Sequence, residues 1–277
     1  MAPALFDVPP ASSVASGRIG QIIQDVNIDA ADPKHGFPDN FTLPEWPETE
    51  GTLIASLIES NRRLYDRFLN NCFCRGMAQG LLPLGAYEEF AKQDYLYLLD
   101  SIRFKALRFA KCNFRGDLND MKTESDKIAR AVGYAQDWKQ TCISKLRIPE
   151  SEMDNIQPSV AEMAYSGFLQ NQTSQDDWFS LYVIMIPSKD TVFYETWIQP
   201  NLGDASAQKL SRFLEANRGA NTSPVNKDRW NELFRNALKL ELELFNSSLL
   251  RGIIPWLPRR PTAEDRNMAL QSLMLGE

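Results

Sequence analysis

Leu240-Glu241-Leu242-Glu243-Leu244-Phe245 places two acids inside an otherwise apolar run, and its flanks decide how to read it. From residue 224 to residue 251 the apolar positions recur with helical spacing. At about 100° per residue, Trp230, Phe234, Ala237, Leu238, Leu244, Phe245 and Ser248 share one face. Glu241 falls near the centre of that stripe. Glu243 falls on the opposite side with Glu232, Asn236 and Lys239. The pattern predicts a long helix that turns Glu241 into a bundle and leaves Glu243 as a solvated surface residue.

The same test applies further upstream. Over 84–113, Asp94 shares a face with Tyr87, Phe90, Ala91, Tyr97, Leu98 and Ser101, while Asp100 and Arg103 lie on the other side. Lys105 and Arg108 continue the Asp94 face and are read as the point where the helix emerges. Helices are also predicted over 52–80, 117–146, 157–171, 175–199, 204–218 and 262–274. They are separated by Leu82-Pro83, Asn113 to Gly116, Pro149, Pro200-Asn201, Gly219 and Pro255 to Pro261. Pro224 suits the first turn of the last long helix. Tyr182 to Ile186 reads as buried helix interrupted near Pro187, because it lies within a longer apolar-periodic stretch. No alternating run is long enough to demand a sheet, so the fold class is all-α. Residues 1–50 are rich in breakers, with Pro9-Pro10, Pro33, Pro38, Pro44 and Pro47. They read as an irregular N-terminal arm pinned by Phe37, Phe41, Leu43 and Trp46, ahead of one helical domain over 51–277.

Composition narrows the chemistry. The 277 residues carry 30 Lys plus Arg against 36 Asp plus Glu, a net charge of −6, which argues against a phosphate-neutralising nucleic-acid binder. A 43% hydrophobic content argues against disorder. The one histidine, His35, sits in a Pro/Gly-rich turn. That argues against a multi-imidazole zinc site, a di-iron bundle and a Ser-His-Asp triad. Cys72, Cys74, Cys112 and Cys142 match no redox or zinc spacing and read as reduced thiols packed in or near helices. Neither a secretory signal nor a membrane span is read, so the expected location is cytoplasmic.

What remains distinctive is a pair of carboxyls on apolar stripes. An unpartnered buried carboxylate is costly, so such a group neutralises or acquires a partner. A salt bridge or hydrogen bond in the core is one reading. The other is a general acid or base whose pKa burial has raised. Two such acids on facing stripes, with tyrosines beside them, suggest a polar pocket in an apolar bundle.

At these residues the sequence resembles the TenA, or thiaminase II, family, which has a heme-oxygenase-like all-helical fold. The segments that carry the resemblance are Gly80-Leu81-Leu82-Pro83-Leu84-Gly85-Ala86-Tyr87 with Lys92-Gln93-Asp94-Tyr95-Leu96-Tyr97-Leu98, then Ala161-Glu162-Met163-Ala164-Tyr165, then Leu240 to Asn246. The similarity spans about 52–251. It implies that Asp94 binds an aminopyrimidine edge, that Glu241 is the acid/base, and that Tyr97, Tyr165 and Tyr194 wall the ring. The family's catalytic cysteine lies four residues before the tyrosine matched by Tyr165, which is Ala161 here. Its Pro-Cys-x-Trp motif stands as Pro187-Ser188-Lys189-Asp190. The chain therefore resembles a member without that nucleophile, and Glu162 or a distant cysteine is left as its replacement.

Three functions follow. One is a C–N hydrolase for aminopyrimidines that requires no metal or organic cofactor. The second is a biosynthetic tailoring enzyme on the same scaffold, catalysing a cyclisation, elimination or isomerisation. The third is a non-catalytic small-molecule binder. The expected partner is a small-molecule substrate, with no nucleic acid and no membrane. Because the family forms tetramers, a homo-oligomer is also expected.

Overall fold

The computed structural model of the chain describes residues 51–78, 82–112, 118–187, 205–219 and 223–253. The N-terminal arm, His35, Tyr194 and the helix expected over 262–274 lie outside these residues. Ten helices are described: α1 Leu53–Ser60, α2 Arg62–Leu69, α3 Cys72–Ala78, α4 Leu84–Ala110, α5 Leu118–Ser144, α6 Glu150–Met153, α7 Val160–Gln175, α8 Trp178–Ile184, α9 Ala205–Arg218 and α10 Pro224–Ile253. No strand occurs among the described residues, as the all-α reading expected.

The helix expected over 52–80 is three helices. Asparagines break it, because their side chains compete for backbone groups. Asn61 Nδ2 donates to Leu57 O at 2.8 Å and to Asn231 Oδ1 at 2.6 Å, while Arg235 Nε donates to Asn61 Oδ1 at 2.7 Å. The first break is thus docked onto α10. At the second break Asn71 Oδ1 accepts the Cys74 amide at 2.9 Å and caps α3. The segment expected over 175–199 begins its helix at Trp178, with Asp177 accepting the Ser180 amide at 2.9 Å as N-cap. That helix runs to Ile184, short of Pro187.

Helix α10 is the spine of the fold, packed against α1 to α4, α7 and α8. This arrangement corrects one expectation: Glu243 is only 8% exposed, like Glu241. The amphipathic pattern describes the first turns of α10, where Glu232 is exposed. From Leu240 to Phe245 every residue is buried. A helix covered on all sides has no solvent face, and periodicity alone does not register how many neighbours surround it.

Helices α4 and α5 pair antiparallel. Arg108 meets Glu124, and the Trp138 indole donates to Ala91 O at 3.1 Å. Arg108 is not where α4 emerges: it is 3% exposed. Its Nη2 lies 3.1 Å from Glu124 Oε2 and its guanidinium carbon 3.9 Å from the centre of the Tyr182 ring. Burial alone would raise Glu124. Hydrogen bonds from Lys127 and Tyr182 and the Arg108 charge override it and hold the carboxyl below the usual range. Pairing is what lets a guanidinium continue the buried stripe of α4. No helix among the described residues is long and apolar enough to cross a membrane.

Candidate active site

Three helices bring the tyrosines and acids together. Helix α4 carries Asp94 and Tyr97, α7 carries Tyr165, and α10 carries Glu241. Gln93 sets the register of α4 against α7. Its Oε1 accepts the Ser159 amide at 2.8 Å, and its Nε2 donates to Gln157 O at 3.2 Å and to Glu89 Oε1 at 3.1 Å. Ser159 then caps α7 by accepting the Glu162 amide at 3.0 Å. With the start of α7 fixed on α4, Tyr165 stacks on Tyr97, with ring centroids 4.9 Å apart and planes at 30°.

The same core contains an all-hydrocarbon group of rings. Phe73, Phe90 and Phe245 form a three-ring cluster with centroid separations of 4.9 to 5.4 Å. Glu241 sits one turn before Phe245 on α10. Its Oε2 and the Tyr165 hydroxyl are both buried, and neither reaches hydrogen-bond geometry with any partner in the structure. Burial pushes Glu241 up to about 8; the nearby Tyr165 hydroxyl lowers it, and the negative field of Asp94 raises it further. Tyr165 is pushed above the usual phenol range, first by burial and then by Glu241 and Tyr97.

Asp94 differs. Its side chain remains partly accessible, yet desolvation alone raises it to about 7. Asp94 is thus crowded by protein without being fully enclosed. Both acids are raised into the neutral range, and the charge of Asp94 is felt at Glu241.

Glu162 lies elsewhere. It is buried, accepts the Ser166 hydroxyl at 2.6 Å, and is raised to about 7 by burial, with Asp100 as its neighbouring charge. Asp100, on the other side of α4 from Asp94, pairs with Arg103 at 2.8 Å. Ala161 is buried at the start of α7. Ser188, Lys189, Asp190 and Tyr194 fall outside the described residues.

Sequence reasoning did not anticipate which thiols approach the acids. Among the described residues all four cysteines are free. Cys74 Sγ accepts from Asn71 Nδ2 at 3.2 Å; burial pushes its thiol up to about 12, and the Glu241 charge contributes in the same direction. Cys142 on α5 is likewise raised to about 12, by burial and then by Asp94. Only the meeting of distant helices places them, and no local signal in the sequence marks it. Both thiols stay protonated at neutral pH, and buried thiols of this kind are inert. We expect iodoacetamide at pH 8 to leave Cys74 and Cys142 unmodified in the native protein and to label both after denaturation, as read by peptide mass spectrometry. Native labelling of Cys74 would return it to consideration as the replacement nucleophile.

Residues 60–242 match the model of the TENA/THI-4/PQQC family. The aminopyrimidine aminohydrolase of Halalkalibacterium halodurans is 24% identical over 214 residues, a stretch that covers 70% of this chain and 94% of that protein. Among solved structures, a TenA homologue from P. horikoshii OT3 superimposes with a TM-score of 0.60 at 15% identity, covering 71% of this chain and 98% of its own. A TenA family transcription regulator from Silicibacter sp. TM1040 gives 0.62 at 19% identity, covering 72% and 96%. The two structural likenesses establish the fold.

Proposed function

We propose, on the premise that the chain belongs to the TENA/THI-4/PQQC family, that it is a hydrolase that breaks a C–N bond of an aminopyrimidine. Asp94 holds the amino edge of the ring by charge-assisted hydrogen bonds. Tyr97 and Tyr165 cover its face. Glu241, protonated near neutral pH, gives its proton to the departing nitrogen and recovers one from the attacking water, so that water and the C–N compound become an alcohol or its tautomer and a free amine. The aminohydrolase relative supports the substrate class.

One observation carries the reading: Tyr165 stacks on Tyr97 beside the buried Glu241, which is lifted to about 8 and lies in the field of Asp94, itself lifted to about 7. A carboxyl kept only for stability would be paired, as Glu124 is. Glu241 has no cation among the groups that shift it: only the Tyr165 hydroxyl lowers it, and its Oε2 is buried without a hydrogen-bond partner.

The test is amine release from a panel of aminopyrimidines by wild type and Asp94→Asn. The wild type is expected to release amine. The variant, which keeps shape but loses charge, is expected to lose about 10- to 100-fold in kcat/KM, mostly through KM. A wild type that releases amine from no member of the panel overturns the reading.

A further inference from the structure

We propose that Arg229 is a positioning residue for the buried acid: its forked pair with Asp176 holds α7 and α10 in the register that sets the Tyr165 hydroxyl against Glu241. The effect on turnover rests on the hydrolase reading, whereas the effect on Glu241 itself does not. Arg229 lies in the first turns of α10, and Asp176 is the residue that closes α7. Arg229 Nε donates to Asp176 Oδ1 at 2.9 Å, and its Nη2 donates to Oδ2 at 2.8 Å and to Gln172 Oε1 at 2.7 Å. Paired bonds from a planar guanidinium fix an orientation as well as a distance.

The junction is anchored from several helices. The Asp176 amide donates to Gln172 O at 2.9 Å, which seats the carboxyl on the last turn of α7. Lys111, just past the end of α4, donates through Nζ to Asp176 O at 2.5 Å. On the residue next to Arg229, the Trp230 indole donates to Ser180 Oγ at 3.1 Å and ties α8 to the same end of α10. The Asp176 side chain is 7% exposed and that of Arg229 30%. So enclosed a carboxylate depends on its cation.

Helical spacing carries this end of the pair to the acid. Asp176 lies eleven residues after Tyr165, and Glu241 lies twelve residues after Arg229. At 1.5 Å per residue the two spans are about 17 and about 18 Å. Asp176 meets Arg229, and Tyr165 lies in the field of Glu241, so α7 and α10 run in opposite senses and the matched spans bring Tyr165 level with Glu241. Burial of apolar residues of α7 such as Phe168 and Leu169 is non-directional, whereas the fork is satisfied at one height. The titratable groups that face Glu241 are Tyr165 from α7, Asp94 from α4 and Cys74 from α3. Tyr165 is the group that lowers Glu241, so loss of register leaves burial and Asp94 unopposed.

The test follows the Glu241 carboxyl by its carbon-13 signal in glutamate-labelled full-length protein, the signal being identified by its absence in Glu241→Gln. Arg229→Met and Asp176→Ala are both expected to raise the titration midpoint, by about half a pH unit or more. Direct fields would move it in opposite directions, because one substitution removes a cation and the other an anion. Displacements of opposite sign, or none, overturn the proposal. Where either variant fails to fold, Arg229→Lys keeps the charge without the fork, and an unmoved midpoint there overturns it as well. On an aminopyrimidine that the wild type turns over, both variants are expected to lose about 10-fold in kcat with KM little changed, since Asp94 and Tyr97 stay on α4. The high-pH limb of the rate profile is expected to move with the carboxyl midpoint. A loss of kcat with that limb in place marks a merely structural role and overturns the proposal. A wild type without turnover counts against the hydrolase reading alone, and the carboxyl midpoint then decides the role of Arg229.

Discussion

Glu241→Gln is expected to lower kcat for amine release by about 10²- to 10⁴-fold, the range general acid/base groups supply. It is expected to leave the melting temperature at pH 7 unchanged or slightly raised. The two halves of this result come from one property. Glu241 is raised to about 8, so at pH 7 its carboxyl is mostly protonated. Glutamine reproduces that neutral form in size and removes the remaining cost of an ionised group among Phe73, Phe90, Phe245 and Tyr165. It cannot exchange a proton with substrate. A purely structural glutamate gives the opposite pattern, with stability falling and any activity falling in proportion. Retained kcat in a folded Glu241→Gln variant removes Glu241 from the chemistry.

The fold was legible because its long helices declare themselves locally. Apolar spacing places α4, α7 and α10 within a few residues, with Pro83 just ahead of α4 and Pro224 in the first turn of α10. The breaks at Asn61 and Asn71 were misread because asparagine is a weak breaker. At Asn61 its effect comes from tertiary partners, Asn231 and Arg235, that a local window does not contain, and at Asn71 from local bonds to Phe68 O and the Cys74 amide. The stripe argument placed Asp94 and Glu241 on inward faces for the same reason it misplaced Glu243 and Arg108. Periodicity records which residues share a face and is silent on what covers the other faces. Glu243 is enclosed because α10 is central, and Arg108 because Glu124 and Tyr182 receive it. Cys74 and Cys142 come into the fields of Glu241 and Asp94 only through packing between helices far apart in sequence, which one chain read locally does not encode.

The raised acids also dictate how stability depends on pH. Asp94 rises from 3.8 to about 7, Glu162 from 4.5 to about 7, and Glu241 from 4.5 to about 8. In each case the folded protein holds a proton that the unfolded chain has released. Their favourable contribution is complete below the ordinary carboxylate range and is lost as pH rises toward 7 or 8. Each group then contributes a downward slope of up to about 1.4 kcal/mol per pH unit within its window. Asp94, partly open to solvent, contributes less than that limit. Glu124 opposes them: held low by Lys127, Tyr182 and Arg108, it stabilises above its ordinary value, and that contribution disappears as pH falls through its depressed one. The expected profile from urea unfolding has its maximum at about pH 4 and declines by several kcal/mol toward pH 8. Glu241→Gln should flatten the decline between about 4.5 and 8, and Asp94→Asn between about 4 and 7, each removing the proton uptake of one group. The same unfolding series separates burial from pairing. A wild-type stability that climbs steadily from pH 5 to pH 8 would mean that the acids are stabilised as carboxylates by partners, and the proton-handling role assigned to Glu241 would go with it.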